Sequence, residues 1–257
     1  MATGMTYQIH ALCLGWRECD VSFLLYLTNV GHRARLPYFM WALVPEEGEL
    51  ILVDTGFLEG DYKERYIEFE DYRRPRELLA PFSLAPAEVQ TVILTHLHWD
   101  HFCAARLYPE AQFHVQRREV EFWRSSKSDY HFLRHYLGDM EDTVWLEEEG
   151  RLHLLDGEAE IAPGVSVHLT GGHTPGLQIV RVRTEKGWAV LAADAAYLFR
   201  SLESMIPPGI HVQVDACLAA LDTIKELADE PTLIFPGHDA ETLKKYSEQH
   251  PGVRRVV

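Results

Sequence analysis

Hydrophobic residues in the first 55 positions fall into short runs that glycine, proline or charged residues interrupt. Such runs, rich in apolar and aromatic side chains, are typical of β-strands, and they cover residues 9–14, 21–29, 38–44 and 49–54. Between residues 61 and 79, and again between 117 and 137, charged and apolar residues instead recur at helical spacing. The first half of the chain therefore predicts strands followed by helices.

The second half of the chain repeats this order. Strands are predicted at residues 152–155, 165–169, 178–183, 188–193 and 232–235, and helices at residues 216–228 and 240–248. Because the apolar face of a sheet has to be covered, two such halves predict an α+β fold in which two sheets pack together with helices outside.

Composition and charge limit the classes of protein to which this chain can belong. Hydrophobic residues make up 47% of the 257 and charged residues 25%, which is typical of a globular protein with a full core. The formal net charge of −15 argues against a nucleic-acid partner or an anionic membrane, because the summed field repels phosphate. The N-terminus lacks a signal-peptide pattern, and the four cysteines form no C-x-x-C pair. These features predict a cytoplasmic protein with a small-molecule partner.

A dense group of candidate metal ligands follows the apolar run at residues 91–94. It consists of three imidazoles and a carboxylate within six residues: His96, His98, Asp100 and His101. A strand can fix the backbone while the turn after it directs these side chains toward a shared point. Imidazole and carboxylate ligands suit Zn²⁺, and also Fe²⁺, Mn²⁺ or Co²⁺. The pattern therefore favours a metal site over a chance surface cluster of histidines.

Three later residues occupy the same kind of position, where a strand gives way to a turn. His173 follows Gly171-Gly172, Asp194 ends the apolar run at residues 190–193, and His238 follows Pro236-Gly237. A carboxylate at the end of such a strand is costly to bury without a cation. All three residues share this position after a predicted strand, which indicates that they complete the metal site.

These motifs resemble those of the metallo-β-lactamase superfamily, and the resemblance covers nearly the whole chain. In order, the motifs are Asp54-Thr55-Gly56, the block from His96 to His101, Gly172-His173-Thr174-Pro175-Gly176, Asp194 and Gly237-His238. The resemblance implies a four-layer αββα sandwich, with residues 1–257 forming one hydrolase domain. It also implies two divalent metal ions at one edge of the paired sheets.

The resemblance further implies a role for each candidate residue. One metal would be held by His96, His98 and His173, a second by Asp100, His101 and His238, and Asp194 would bridge both. Asp54 matches the position that orients the ligand imidazoles. Two metals held this close lower the pKa of a shared water and polarise a carbonyl, so the expected chemistry is hydrolysis.

The substrate class depends on Tyr197, three residues after Asp194. In the N-acyl homoserine lactonases of this superfamily a tyrosine at that position hydrogen-bonds the lactone carbonyl, and the segment also resembles 4-pyridoxolactonase. We therefore expect Tyr197 and Asp100 to be catalytic, with Asp100 carrying a proton to the leaving alkoxide. N-acyl homoserine lactones are the predicted substrates, which would make the activity quorum quenching. The substrate pocket has four unranked candidates: Trp16, Phe23, Phe39 and Trp41.

Two other enzymes share parts of this ligand pattern. A glyoxalase II-like thioesterase normally adds a C-terminal helical domain, for which the 19 residues after His238 are too few. A persulfide dioxygenase would use one iron and fewer ligands. The oligomeric state is left open, with a homodimer as one alternative.

Overall fold

The computed structural model describes residues 4–64, 67–129 and 132–257, and within them two β-sheets pack face to face. The strands of the first sheet are β1 (Tyr7–Asp20), β2 (Arg33–Pro45), β3 (Ile51–Val53), β4 (Thr91–Ile93), β5 (Gln112–Gln116), β6 (Leu152–Leu155) and β12 (Val253–Arg255). The strands of the second sheet are β7 (Ala159–Ala162), β8 (Val165–Leu169), β9 (Gln178–Thr184), β10 (Gly187–Ala193) and β11 (Ile234–Pro236).

Short helices connect and cover the strands. They are α1 (Val21–Leu24), α2 (Glu59–Glu64), α3 (Pro75–Leu79), α4 (Trp99–Phe102), α5 (Arg117–Arg124), α6 (Met140–Glu148), α7 (Phe199–Ser204), α8 (Val214–Leu227) and α9 (Ala240–Lys245). Single 3₁₀ turns lie at Ala80–Phe82, Pro86–Glu88, Ala105–Leu107, Ser126–Ser128, Phe132–Tyr136 and Pro231–Leu233. Within the described residues, no helix is long and apolar enough to cross a membrane.

The sheets combine antiparallel and parallel strands. The first has the order β12-β1-β2-β3-β4-β5-β6, antiparallel from β12 to β3 and parallel from β3 to β6. The second has the order β11-β10-β9-β8-β7, with only the β10–β11 pair parallel. Parallel pairs put successive strand ends at one edge of a sheet, where the turns after β4, β10 and β11 lie.

Apolar side chains alternate between the two faces of the long strands, as the period of two in a strand requires. On β1, Ile9 and Ala11 belong to the core between the sheets, whereas Leu12 and Leu14 face the core under the outer helices. On the second sheet, Val190 packs with residues of α7 and α8 in a further core. Helix, sheet, sheet and helix thus form four layers, and the predicted αββα sandwich is confirmed.

Two predicted elements differ from the structure, and the helical segment predicted at residues 117–137 is broken after α5, which ends at Arg124. The strand expected at residues 21–29 is replaced by α1 and turns, because Asp20 caps the helix by accepting a 2.9 Å hydrogen bond from the backbone N–H of Ser22. The helix expected over residues 61–79 is split into α2 and α3. Between them Glu70 pairs with Trp16 of β1 through two 2.9 Å backbone hydrogen bonds, which a continuous helix would forbid. Tyr66 of that predicted helix lies outside the described residues.

A buried glutamine joins the sheets at the edge where the candidate ligands lie. The backbone N–H of Gln178 on β9 donates to the carbonyl of Thr95 at 2.9 Å, and its side-chain Nε2 donates to the carbonyl of Leu94 at 2.7 Å. Thr95 immediately precedes the first predicted ligand. The turn after β4 is therefore held in register with the second sheet, which supplies the later ligands.

Candidate metal centre

All seven predicted ligands come together in two adjoining groups. In each group every residue offers one nitrogen or oxygen atom within 4.8 Å of the others, and all seven residues are buried. The first group is His96, His98, His173 and Asp194, and the second is Asp100, His101 and His238. They follow the ends of β4, β8, β10 and β11, so both sheets contribute to the site.

Asp194 lies between the two groups and directs one carboxylate oxygen toward each. Its Oδ2 is 3.2 Å from Nε2 of His173 and 3.5 Å from Nε2 of His96. Its Oδ1 is 3.2 Å from Nε2 of His238 and 3.5 Å from Nε2 of His101. A carboxylate in this orientation can donate one oxygen to each of two neighbouring cations.

Asp54, which the sequence predicts to orient the candidate ligands, lies against the His101 ring. Asp54 Oδ2 lies 2.7 Å from Nδ1 of His101 and accepts the hydroxyl of Thr95 at 2.9 Å, while Oδ1 accepts the N–H of Thr95. The Thr95 oxygen in turn lies 3.1 Å from Nδ1 of His96. With Nδ1 held in this way, Nε2 of each ring is directed toward the other ligands. Asp54 has a left-handed φ of 63°, a strained conformation of the kind that occurs at functional sites.

Backbone carbonyl oxygens hold two more of the rings, those of His173 and His238, so that their Nε2 atoms face the other candidate ligands. Nδ1 of His173 lies 2.6 Å from the carbonyl oxygen of Ile210, and Nδ1 of His238 lies 2.9 Å from the carbonyl oxygen of Pro37. His98 has the opposite orientation, since its Nδ1 lies 2.9 Å from Nε2 of His173. A carbonyl can only accept, so it fixes the ring tautomer that leaves the Nε2 lone pair available for a metal.

Burial and neighbouring carboxylates together set the protonation states of the candidate ligand histidines. It lowers the pKa of His98 well below the ordinary value, and the neighbouring His173 lowers it further, so His98 stays neutral. Burial alone would lower the pKa of His101, but the carboxylates of Asp100 and Asp194 raise it well above that value. The second group thus attracts positive charge, which protons or metal ions can supply.

The donor set fits two divalent metal ions. Buried polar atoms without a hydrogen-bond partner among the described residues include Nε2 of His96, Nε2 of His101 and Oδ1 of Asp194. Orphaned buried atoms are rare in folded proteins, and metal coordination is a common reason for them. Five imidazoles and two carboxylates match the preferences of zinc and of similar transition metals.

Glu119 supports the ligand turns, and the sequence offered no signal for it. This fully buried carboxylate on α5 accepts hydrogen bonds at Oε1 from the N–H of Leu97 at 3.2 Å and from Nε1 of Trp123 at 2.8 Å. Its Oε2 accepts the N–H of Gly176 at 2.8 Å. Leu97 separates two ligands, and Gly176 lies three residues after His173. Glu119 therefore joins the two turns that carry the three histidines of the first group.

A cavity of about 50 Å³ opens beside the metal ligands. Tyr197 lines it, with its ring centroid 5.3 Å from that of His238 and 5.7 Å from that of His173. Burial and the Asp194 carboxylate raise the pKa of Tyr197 well above its ordinary value, so the phenol keeps its proton and can donate.

Only one of the four candidate pocket residues lines this cavity. Phe23 does so, whereas Phe39 and Trp41 pack in the core between the sheets. Trp16 packs partly against that core, and its outer face is covered by the Arg35 guanidinium, 4.4 Å from the ring centroid. Side chains alternate between the two faces of a strand, so neighbouring aromatic residues on β2 face different layers. The sequence alone therefore could not show which of these candidates line the cavity.

Comparison with known proteins agrees with this geometry. Residues 34–238 match the family model of the metallo-beta-lactamase superfamily. The N-acyl homoserine lactonase of Bacillus cereus is 28% identical over 229 residues, which cover 83% of this chain and 86% of the relative. An N-acyl homoserine lactonase of Azorhizobium caulinodans is 27% identical over 167 residues, 63% of each chain.

Solved structures with similar folds include lactonases. The crystal structure of a quorum-quenching N-acyl homoserine lactone lactonase superposes with a TM-score of 0.78 at 25% identity, over 96% of this chain and 98% of the other. AidC, described as a dizinc quorum-quenching lactonase, superposes with a TM-score of 0.64 over 92% of this chain and 91% of its own. Its identity of 18% supports likeness of fold alone.

We expect Glu119→Gln to weaken metal binding. In this variant one carboxylate oxygen is kept and the other is replaced by an N–H₂ group. That group faces a hydrogen-bond donor, so a buried hydrogen bond is lost. Losses of this kind around metal ligands reduce metal affinity about 10- to 100-fold and stability by about 1–3 kcal/mol. Chelator competition and denaturant unfolding measure the two effects. Glu121→Gln, an exposed change on the same helix, is the control. Equal metal affinity in the two variants would remove Glu119 from this role.

Proposed function

The chain belongs to the metallo-β-lactamase superfamily, and we propose that this hydrolase opens the ester bond of a lactone ring with two divalent metal ions, most simply zinc. N-acyl homoserine lactones are the proposed substrates, and quorum quenching is the activity that would follow. The observation that carries the proposal is Asp194, whose two oxygens each face one group of ligands, with Tyr197 three residues further on. The similarity to lactonases supports an ester as the bond that is hydrolysed, rather than a bond of another kind.

The proposed metal ligands are the seven residues of the two groups. His96, His98 and His173 would hold one ion, Asp100, His101 and His238 the other, and Asp194 both. When bound, two such ions lower the pKa of a shared water toward neutrality and polarise the carbonyl of the substrate.

Two side chains of the cavity act on the reacting atoms in this proposal. The Tyr197 phenol, which stays protonated, donates a hydrogen bond to the lactone carbonyl oxygen as negative charge develops there. Asp100 lines the same cavity and carries a proton to the alkoxide that leaves when the ring opens. The product is a hydroxy acid.

The second ligand group argues against the alternative from another class. A mononuclear iron dioxygenase has no need for a second buried set, yet Asp100 lies 3.1 Å from Nε2 of His101, with His238 beside both. A thioesterase of the glyoxalase II kind shares both groups, so substrate assays must separate it from a lactonase. Zinc as the native metal, a cytoplasmic location and a homodimer stay predictions.

We expect Asp194→Asn to lose metal and activity together. An amide nitrogen is a poor metal ligand, so one of the two groups loses its oxygen and the charge that balances the cations. The measured metal content should fall from about two ions per chain, the number that a binuclear hydrolase requires, to one or fewer. Asp215→Asn, an exposed change on α8, provides the control. Retention of both ions would show that the carboxylate does not bridge.

Tyr197→Phe should retain both ions and lose only rate. Removing one donor to a developing oxyanion costs about 10- to 100-fold in kcat when metal charge remains. Steady-state kinetics together with metal analysis test this expectation. Unchanged kinetics would exclude the phenol from the reaction.

A pH-indicator assay tests the reaction class. Ring opening releases a proton, so one readout covers N-acyl homoserine lactones of several chain lengths, γ- and δ-lactones and thioesters. We expect turnover of lactones above that of the other substrates. Thioester turnover far above that of every lactone would overturn the proposal in favour of the thioesterase.

A further inference from the structure

A positively charged side chain lines the cavity that contains the proposed reaction site. Arg17, on β1, is half-buried and shares the cavity wall with Tyr197 and with the proposed ligand Asp100. The reaction proposed above assigns no task to a cation there. A guanidinium in such a position needs an explanation, since burying a charge is costly unless it is paired.

Most carboxylates near Arg17 are paired with other cations, and Glu68, which lines a surface pocket together with Arg17, forms no ion pair with it among the described residues. Within the described part of the chain, Arg17 forms no ion pair with a carboxylate oxygen at 4.0 Å or less. Its neighbour Glu18 lies 3.6 Å from Arg33, and Glu70 lies 2.7 Å from Arg35. The two carboxylates of the cavity itself, Asp100 and Asp194, face the ring nitrogens of the ligand histidines. Among the described residues, Arg17 is thus ion-paired with no carboxylate within 4.0 Å.

The group beside Arg17 is neutral. Burial would lower the pKa of Arg17, but its interaction with the phenol oxygen of Tyr38 raises it, so the guanidinium stays charged. Apolar side chains, Phe23, Leu36 and Ile210 among them, line the same cavity. Such walls reduce the local dielectric constant and strengthen a charge-assisted hydrogen bond.

We propose that Arg17 binds a carboxylate carried by the substrate, so that the cavity favours acidic lactones over neutral lactones of the same shape. The planar guanidinium matches a carboxylate through two parallel hydrogen bonds and would receive from the substrate the countercharge that the protein does not provide. The proposal rests on the lactonase function and adds a specificity-determining residue to it, but it replaces N-acyl homoserine lactones, which carry no carboxylate, with acidic lactones as the preferred substrates.

Matched pairs of substrates test this directly with the metal-loaded enzyme. A γ-butyrolactone with a ring carboxylate and its carboxamide differ only in charge. We expect kcat/KM to favour the acid by about 10- to 100-fold, the usual effect of one charged hydrogen bond. Arg17→Met should remove this preference while leaving turnover of the carboxamide within about three-fold, and Arg17→Lys should keep part of the preference.

Arg35→Met serves as the control, because it removes a cation from the neighbouring strand that pairs with Glu70 outside the cavity. This variant should keep the full preference for the acid. Equal kcat/KM for acid and carboxamide in the wild type would overturn the proposal. An equal loss on both substrates in Arg17→Met would assign Arg17 a structural role instead.

Binding of pyroglutamate, a lactam carboxylate that resists hydrolysis, gives a readout independent of turnover. Calorimetry should detect pyroglutamate binding that Arg17→Met weakens about 10-fold or more, and much weaker binding of pyroglutamamide. If no lactone is hydrolysed, the proposed function fails, yet this measurement still decides whether Arg17 binds a carboxylate. Equal binding of the two lactams would exclude that role.

Discussion

The rest of the site depends on one buried carboxylate, that of Asp194. Burial alone would raise its pKa, but His101, His238 and His173 lower it well below the ordinary value, so it stays ionised. A buried anion of this kind is tolerated only where cationic partners surround it. The imidazoles that approach its two oxygens come from strand ends in both sheets. The packing of the two sheets therefore has to be accurate at this edge before the site can form.

That accuracy is achieved by polar contacts beneath the ligands. Gln178 joins the second sheet to the turn after β4, and Glu119 joins the same turn to the turn after β8. Asp54 fixes a ring from the end of β3. Each of these groups is buried and hydrogen-bonded, so moving one ligand turn would leave several buried polar atoms unpaired. The result is a rigid site, as metal catalysis requires.

The seven candidate ligands could be selected from the sequence because each follows a predicted strand, and strand ends at one sheet edge converge. The four-layer fold was predictable for the same reason, since strands and helices alternate in two similar halves. Glu119 and Arg17 could not be found in this way. Glu119 lies in an ordinary amphipathic helix, and the two partners that it joins are 22 and 57 residues away in the chain. The segment at residues 61–79 was mispredicted because its pairing with Trp16 is equally long-range.

Catalysis and substrate choice draw on different parts of the fold. The proposed ligands follow strand ends, whereas Arg17 in the cavity wall lies within β1, three residues before its end. Tyr38 on β2 connects the two, since its ring packs edge-on against that of His238 at 4.7 Å and its phenol lies beside Arg17. If Arg17 binds the substrate as proposed, a change at Arg17 would alter which substrates bind. A change at Tyr38 would alter both, so specificity in this fold is more easily varied at β1 than at β2.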